Sequence, residues 1–197
     1  IIKINNAIVD NDFYKKSKKQ LKNNKRLNKT DYILSIGRLT EQKNHLMLLN
    51  SFIQIKKKYK KKLFLVIIGE GHLKNNLKNF VKINKIDKDV IFLKNLQNVL
   101  NYIKSCKLFV QTSLWEGQPN VLIEALLLNK QVIATNCPGQ RKKDLKQFKN
   151  CHFLKTNSIN NLSKTILYFL NKKKNTLKLN KTTNYLINNS SKIILDE

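Results

Sequence analysis

The chain has 197 residues, of which 41% are hydrophobic and 8% aromatic, so it can bury a core without disulfide support. Its 39 Lys and Arg residues against 12 Asp and Glu residues give a net charge of +27, but this apolar fraction excludes a disordered polycation. Cys106, Cys137 and Cys151 are odd in number and far apart, which argues against a disulfide framework or a zinc site and indicates reduced thiols.

The positive charge is spread along the chain and does not form a motif. Nearly all the basic residues are Lys, and they lie among Asn residues, as in 15–29 and 172–181. This distribution indicates a solvated surface, so no nucleic-acid partner is expected, although contact with an anionic membrane or an anionic substrate stays open. No signal peptide or spanning segment is recognised, so we expect a cytoplasmic protein, with peripheral binding at the inner face of the cell membrane as an alternative.

The predicted elements alternate along most of the chain. Residues 1–30 are predicted to form a leading strand and a linker, solvated over 15–29. From residue 32, short apolar segments rich in β-branched or aromatic residues alternate with amphipathic stretches of helical length. The predicted strands are 32–36, 63–68, 90–93, 107–111, 131–135 and 151–154, and the predicted helices are 44–59, 72–84, 96–105, 119–128, 141–148 and 158–171.

This alternation predicts the α/β class, with a doubly wound, mainly parallel, Rossmann-like sheet that carries helices on both faces. The domain is predicted to span residues 31–172, and the tail 173–197 is predicted to be a helix that needs a surface to dock on. In such a sheet, ligands bind outside the carboxyl ends of the strands. The loops that follow the strands are therefore where a site is expected.

Two of these loops have a composition suited to phosphate. The first strand is followed by a glycine turn at Gly37 and by Arg38 and Lys43, whose guanidinium and ammonium groups suit phosphate oxygens. The second strand is followed by Gly69 and Gly71, a tight turn that lacks the third glycine of the dinucleotide fingerprint. Each loop alone is a weak indication of a site.

The segment WEGQPNVLIEA, residues 115–125, carries the strongest indication of function. Pro119 suits the first turn of a helix, and Gly117 lets the backbone approach a ligand closely. The amides of Asn120 and Val121 then belong to a helix N-terminus, which attracts anions.

Two carboxylates flank this helix start. Glu116 lies just before the predicted helix, and Glu124 lies within the apolar stretch 121–128. Burying an unpaired carboxylate is costly, so Glu124 needs either a structural partner or ligand hydroxyl groups. A sugar ring is a ligand class that presents paired hydroxyls.

The chain resembles the C-terminal half of glycosyltransferase family 4, the retaining enzymes of the GT-B fold with two Rossmann-like domains. The resemblance is carried, in the family's order, by INNAIVDNDF, SIGRLTEQKNHLMLLNSF, VIIGEGHLKNNL and SLWEGQPNVLIEALLLNKQVIATNCPG. The E-x7-E motif formed by Glu116 and Glu124 is its most specific part. The chain departs from the family pattern at Lys94, Asn129, Gln140 and Lys143; Asn129 replaces a glycine but tolerates a left-handed backbone.

The resemblance implies a role for each loop. Arg38 and Lys43 would hold the donor diphosphate in place of a metal, Glu116 would contact hydroxyls of the donor sugar, and Glu124 would contact the ribose. The base would lie near Leu93 and Lys94. The implied catalytic residues are Arg38, Lys43 and Glu116, and the implied donor-binding residues are Gly37, Gly69, Leu93, Lys94, Gly117, Gln118, Pro119, Asn120, Val121 and Glu124.

The implied function is transfer of a sugar from a nucleotide-sugar, UDP-linked by the style of the motif, to a glycan or lipid-linked acceptor in polysaccharide or glycoconjugate synthesis. No metal cofactor is expected. The start at Ile1, directly in a strand-like segment, indicates a fragment that lacks an N-terminal Rossmann-like acceptor domain. The isolated chain is then expected to bind donor and to transfer little or nothing. The alternative is a non-catalytic basic module on a Rossmann scaffold, acting at anionic membranes or polymers.

Overall fold

Six strands and six α-helices lie in the part of the chain that the computed structural model describes, residues 10, 12–21, 24–117, 119–140, 145 and 148–172. Single 3₁₀ turns cover Lys25–Asn28 and Glu41–Lys43. The strands are β1 (Tyr32–Ile36), β2 (Phe64–Ile68), β3 (Val90–Leu93), β4 (Leu108–Gln111), β5 (Val132–Ala134) and β6 (Cys151–Phe153). The helices are α1 (Phe13–Ser17), α2 (His45–Lys58), α3 (Lys74–Ile83), α4 (Leu100–Ser105), α5 (Asn120–Leu127) and α6 (Ile159–Asn171).

All strand pairs of this sheet are parallel, in the order β3-β2-β1-β4-β5-β6. The predicted doubly wound, Rossmann-like sheet is therefore confirmed. The strand order reverses between β1 and β4, and connections from these two strands leave toward opposite sides. This switch point opens a crevice at the carboxyl edge of the sheet, between the loops that follow β1 and β4.

The two faces of the sheet bury separate apolar layers. Along β1, Ile33 and Leu34 are both fully buried, but they belong to different clusters because successive side chains of a strand point to opposite faces. Leu34 packs in the layer that contains α1, α4 and α5, and Ile33 packs in the layer that contains α2, α3 and α6. Burial on both faces explains why the strands are continuous apolar runs.

One predicted helix begins later than expected. The prediction placed a helix over 96–105, but α4 begins at Leu100. The reason is Asn98, whose Oδ1 accepts a hydrogen bond from the Leu100 amide at 3.2 Å while its Nδ2 donates to the Lys16 carbonyl at 3.0 Å. This local bonding competes with helix formation. The predicted helix 141–148, the leading strand and the tail 173–197 lie largely or wholly outside the described residues.

The segment before the sheet is partly built into the core. The interpretation of 15–29 as a solvated linker is wrong for Ser17, Leu21 and Leu27, which are buried. Leu21 and Leu27 join Phe13 in the apolar layer of α4 and α5, where each removes a large side chain from water. The domain boundaries at residues 30 and 172 stay predictions.

Candidate functional site

The loops after β1 and β4 are bonded to each other across the switch point. The Thr112 hydroxyl donates to the carbonyls of Lys43 and Asn44, at 3.0 Å each. The Leu114 amide donates to the Gln42 carbonyl at 2.8 Å. These contacts join residues about seventy positions apart in sequence, so the loops after β1 and β4 are held together where they line the crevice.

The centre of the crevice is an ion pair between two residues that the sequence assigned to the site. Lys43 Nζ lies 2.5 Å from Glu116 Oε1, and the Ser113 hydroxyl donates to the same oxygen at 2.5 Å. The side chain of Glu116 is 5% exposed and that of Lys43 is 18% exposed. A carboxylate this deep is tolerated because it is both paired and hydrogen-bonded.

The Lys43 side chain is directed by the glycine at the start of its own loop. A Cβ at Gly37 would lie 3.1 Å from carbons of the Lys43 stem, so the aliphatic chain lies directly on the Gly37 backbone. This position carries the ammonium group across the crevice toward Glu116. The predicted glycine turn thus has a packing role besides its role in the turn.

The ends of the three strands on one side of the crevice also pack closely. The Gly37 amide donates to the Ile68 carbonyl and the Gly69 amide to the Leu93 carbonyl, each at 3.0 Å. Gly69 has φ +155°, and a Cβ there would lie 2.0 Å from the Gly37 carbonyl oxygen, so only glycine fits. Leu93 is half-buried at this edge, and Lys94 is exposed beside it.

Arg38 is exposed at the same edge and is held by Gln42. Arg38 Nη2 donates to Gln42 Oε1 at 3.0 Å, and Gln42 Nε2 donates to the Trp115 carbonyl at 3.1 Å. The amide of Gln42 therefore connects the guanidinium of one loop with the backbone of the other. Gln42 could not be singled out from the sequence, because nothing local distinguishes it from other polar loop residues.

The backbone of Glu116 is fixed by the loop after β5. Its amide donates to the Pro138 carbonyl at 3.0 Å. Gly139, at φ +75°, approaches so closely that a Cβ there would lie 1.9 Å from the Glu116 carbonyl oxygen. Gly139 was also missed, and its signal is the Pro-Gly turn itself.

We expect Gly139→Ala to destabilise the chain by at least about 1–2 kcal/mol, the cost of a left-handed backbone alone, because the new methyl must also displace Glu116. Gly117→Ala is the matched control: it lies on the same loop, and a Cβ there meets nothing within 4 Å. Its effect should stay within about 0.5 kcal/mol. Urea unfolding measures both, and equal losses would contradict the assigned contact.

Helix α5 presents its N-terminus to the crevice. Pro119 is the N-cap residue, with φ −82° and ψ 77°, and its carbonyl accepts from the Ile123 amide at 3.1 Å. The helix thus begins one residue later than predicted. The amides of Asn120 and Val121 lie in the first turn, where no intrahelical carbonyl reaches them. Asn120 and Gly117 are exposed, and Gln118 lies outside the described residues.

Glu124 lies in a different environment from Glu116. It lines a cavity of about 210 Å³ together with Lys16, Gln97 and Asn98, among other residues. Its Oε2 is buried and has no hydrogen-bond partner in the described part of the chain. Burial raises the pKa of the Glu124 carboxyl to about 7. An oxygen buried in this way is destabilising until a donor reaches it.

A buried histidine supports the loop after β1. His45 is 3% exposed, and its ring lies against the backbone of Gly37 and Arg38. Burial lowers the pKa of His45 to about 4, so the ring is neutral near pH 7. Among the described residues, no group of three or more His, Cys, Asp and Glu side chains could hold a metal ion.

The fold and the crevice define a Rossmann-like domain with a cationic and acidic centre at the switch point of its sheet. Residues 16–192 match the family model described as glycosyl transferases group 1, and the chain belongs to this family. None of the helices in the described part of the chain combines the length and the apolar character needed to span a bilayer.

The chain is similar to several curated glycosyltransferases. It is 42% identical to an uncharacterized glycosyltransferase of Methanocaldococcus jannaschii over 53% of this chain and 25% of the relative. It is 37% identical to N-acetylgalactosamine-N,N'-diacetylbacillosaminyl-diphospho-undecaprenol 4-alpha-N-acetylgalactosaminyltransferase of Campylobacter jejuni, over 55% of this chain and 28% of the relative. The chain thus spans little more than a quarter of the length of these relatives.

Solved structures share the fold. WaaG, a glycosyltransferase involved in lipopolysaccharide biosynthesis, superposes with a TM-score of 0.68 at 14% identity, over 83% of this chain and 46% of WaaG. HepE of Anabaena, solved in complex with UDP and glucose, superposes with a TM-score of 0.63 at 17% identity, over 83% of this chain and 44% of that protein. The prediction of one Rossmann-like half of a GT-B fold is confirmed.

Proposed function

We propose that this chain is the donor-binding half of a retaining glycosyltransferase, which takes a sugar from a UDP-linked donor and delivers it to a glycan or lipid-linked acceptor. The observation that carries this proposal is the pair formed by Lys43 and Glu116 at the switch point. Arg38 lies on the same loop as Lys43, and the N-terminus of α5 follows Glu116 on the other loop.

The cations of the crevice suit a departing diphosphate. When the bond between the anomeric carbon and the diphosphate oxygen breaks, negative charge grows on the leaving group. Lys43 uses one of its three N–H donors on Glu116 and keeps two for phosphate oxygens, and the exposed Arg38 adds a planar fork. Fixed cations of this kind stabilise developing charge without reorganising.

The two carboxylates suit two different parts of the donor. Glu116 has one oxygen committed to Lys43 and Ser113, which fixes the carboxylate and leaves its second oxygen for the sugar hydroxyls. Glu124 Oε2 has no partner among the described residues, and a ribose hydroxyl would supply the missing donor. The proposed roles therefore follow from the unequal environments of the two groups.

The names of relatives support the donor and acceptor classes. One relative of Escherichia coli, 35% identical over 38% of this chain, is named UDP-Gal:alpha-D-GlcNAc-diphosphoundecaprenol alpha-1,3-galactosyltransferase. Because the chain spans a minor part of the length of such relatives, we expect full catalysis to need an acceptor-binding domain outside this chain. The alternative of a non-catalytic basic module is not favoured, since the family match includes the whole crevice.

Exchanging each carboxylate in turn tests the proposed division of roles. Glu124→Gln should weaken UDP and UDP-sugar alike, because both carry the ribose. Glu116→Gln should leave UDP affinity nearly unchanged and weaken only the UDP-sugar, by about 1.5–3 kcal/mol for a hydrogen bond to a charged group. Isothermal titration calorimetry with UDP and UDP-N-acetylglucosamine measures all four affinities. Equal losses of UDP affinity in both variants would show that the roles are misassigned.

A further inference from the structure

The only tryptophan of the chain is exposed at the lip of the crevice. Trp115 directly precedes Glu116 and is 51% exposed, and its neighbour Leu114 is 47% exposed. Burying one such side chain is worth about 1.5–3 kcal/mol. Leu114 and Trp115 are adjacent and exposed beside a buried ion pair, so they form an apolar surface at the mouth of the crevice.

The backbone holds both side chains in this position. The Leu114 amide donates to the Gln42 carbonyl at 2.8 Å, and the Trp115 carbonyl accepts from Gln42 Nε2 at 3.1 Å. The next amide, that of Glu116, donates to the Pro138 carbonyl at 3.0 Å. Because the peptide is fixed on both sides, the backbone of Trp115 keeps one orientation at the lip of the crevice. The segment therefore presents an exposed indole from a fixed backbone position.

We propose that Trp115, with Leu114, is a platform for a sugar ring of the acceptor, an inference that rests on the proposed function. The Glu116 carboxylate points inward to Lys43, where the donor sugar would lie, whereas Trp115 lies on the solvent side of the same loop. A second sugar must approach from that side to reach the anomeric carbon. One face of a pyranose ring is a layer of C–H groups with hydroxyls at its rim, which matches an indole that is apolar on its face and polar at its N–H.

The test uses glycosides that carry no nucleotide. Methyl α-N-acetylgalactosaminide and methyl α-N-acetylglucosaminide are titrated into the chain saturated with UDP, and saturation-transfer NMR follows their ring protons. We expect millimolar binding with the strongest transfer at the C–H face. Trp115→Phe should retain binding, and Trp115→Ala should weaken it about fivefold, the range of one aromatic contact.

Tyr168→Ala is the matched control, because Tyr168 is an aromatic residue on α6 that is 59% exposed, against 51% for Trp115. It should leave glycoside binding unchanged, and circular dichroism verifies that each variant is folded. If UDP binds but the glycosides do not, or if Trp115→Ala binds them like the unmodified chain, the assignment of Trp115 as an acceptor platform is wrong. Absence of UDP binding would instead contradict the proposed function, and with it the assignment to an acceptor.

Discussion

Replacing Glu124 with glutamine is expected to stabilise the chain at pH 8 while it weakens nucleotide binding. Burial raises the pKa of this carboxyl from its ordinary value of 4.5 to about 7, so the folded chain holds the proton more tightly than the unfolded chain. The stability gained by holding this proton in the folded chain is therefore complete below pH 4.5 and is lost as the pH rises through 7. Glutamine stays neutral throughout, which removes a loss of up to about 3 kcal/mol.

Urea unfolding at pH 5 and pH 8 measures this effect. The stability of the unmodified chain should fall relative to that of Glu124→Gln between the two pH values. Glu70→Gln is the control, because Glu70 forms a partly exposed pair with Lys74 and should change stability by less than about 1 kcal/mol at both pH values. If the stability of Glu124→Gln equals that of the unmodified chain at both pH values, the assigned burial of Oε2 without a donor from the described residues is contradicted.

Removing the positive partner of Glu116 should have the second large effect. Lys43→Met keeps the aliphatic stem on Gly37 but leaves a carboxylate that is 5% exposed with Ser113 as its remaining donor among the described residues. Breaking a buried pair from one side costs about 3 kcal/mol or more. The loss arises chiefly from the unpaired charge, so it should shrink when Glu116 is also replaced.

A double-mutant cycle with Lys43→Met and Glu116→Gln measures this coupling. We expect the double variant to lose less free energy of unfolding than the two single variants lose together. The difference should exceed about 1 kcal/mol. UDP affinity should fall in Lys43→Met in either background, because the proposed contact between Lys43 and the diphosphate is lost whether or not Glu116 is present. Strictly additive losses of stability would show that the two groups do not interact in solution.

The sheet could be predicted because its strands are apolar on both faces and are separated by amphipathic helices. Asn129 has φ +57°, as expected for an asparagine in a position that favours glycine. The buried residues before the sheet could not be predicted, because Leu21 and Leu27 are single apolar residues within a stretch of Lys and Asn without periodicity. Their burial depends on surfaces supplied by α4 and α5.

The site was predictable in composition and only partly in geometry. Arg38, Lys43 and Glu116 have charges and loop positions that the sequence shows directly. Their contacts with Gln42, Ser113 and Gly139 could not be predicted, because these residues lie on loops that are far apart in sequence and meet only at the switch point. The apolar surroundings of Glu124 were indicated by the stretch 121–128, but the ion pair of Glu116 could not be predicted, because Lys43 reaches it from a loop far away in sequence.

The central claim is that the crevice binds a nucleoside diphosphate with its own cations. Isothermal titration calorimetry of UDP into the unmodified chain, with and without EDTA, tests it most directly. We predict the same affinity in both conditions. Arg38→Ala should lose about 1.5–3 kcal/mol of UDP binding free energy. Lys61→Ala should lose none, because it removes the same charge at the amino ends of the strands, away from the crevice. Binding that disappears in EDTA would contradict the metal-free site, and no binding in either condition would contradict the donor-binding assignment itself.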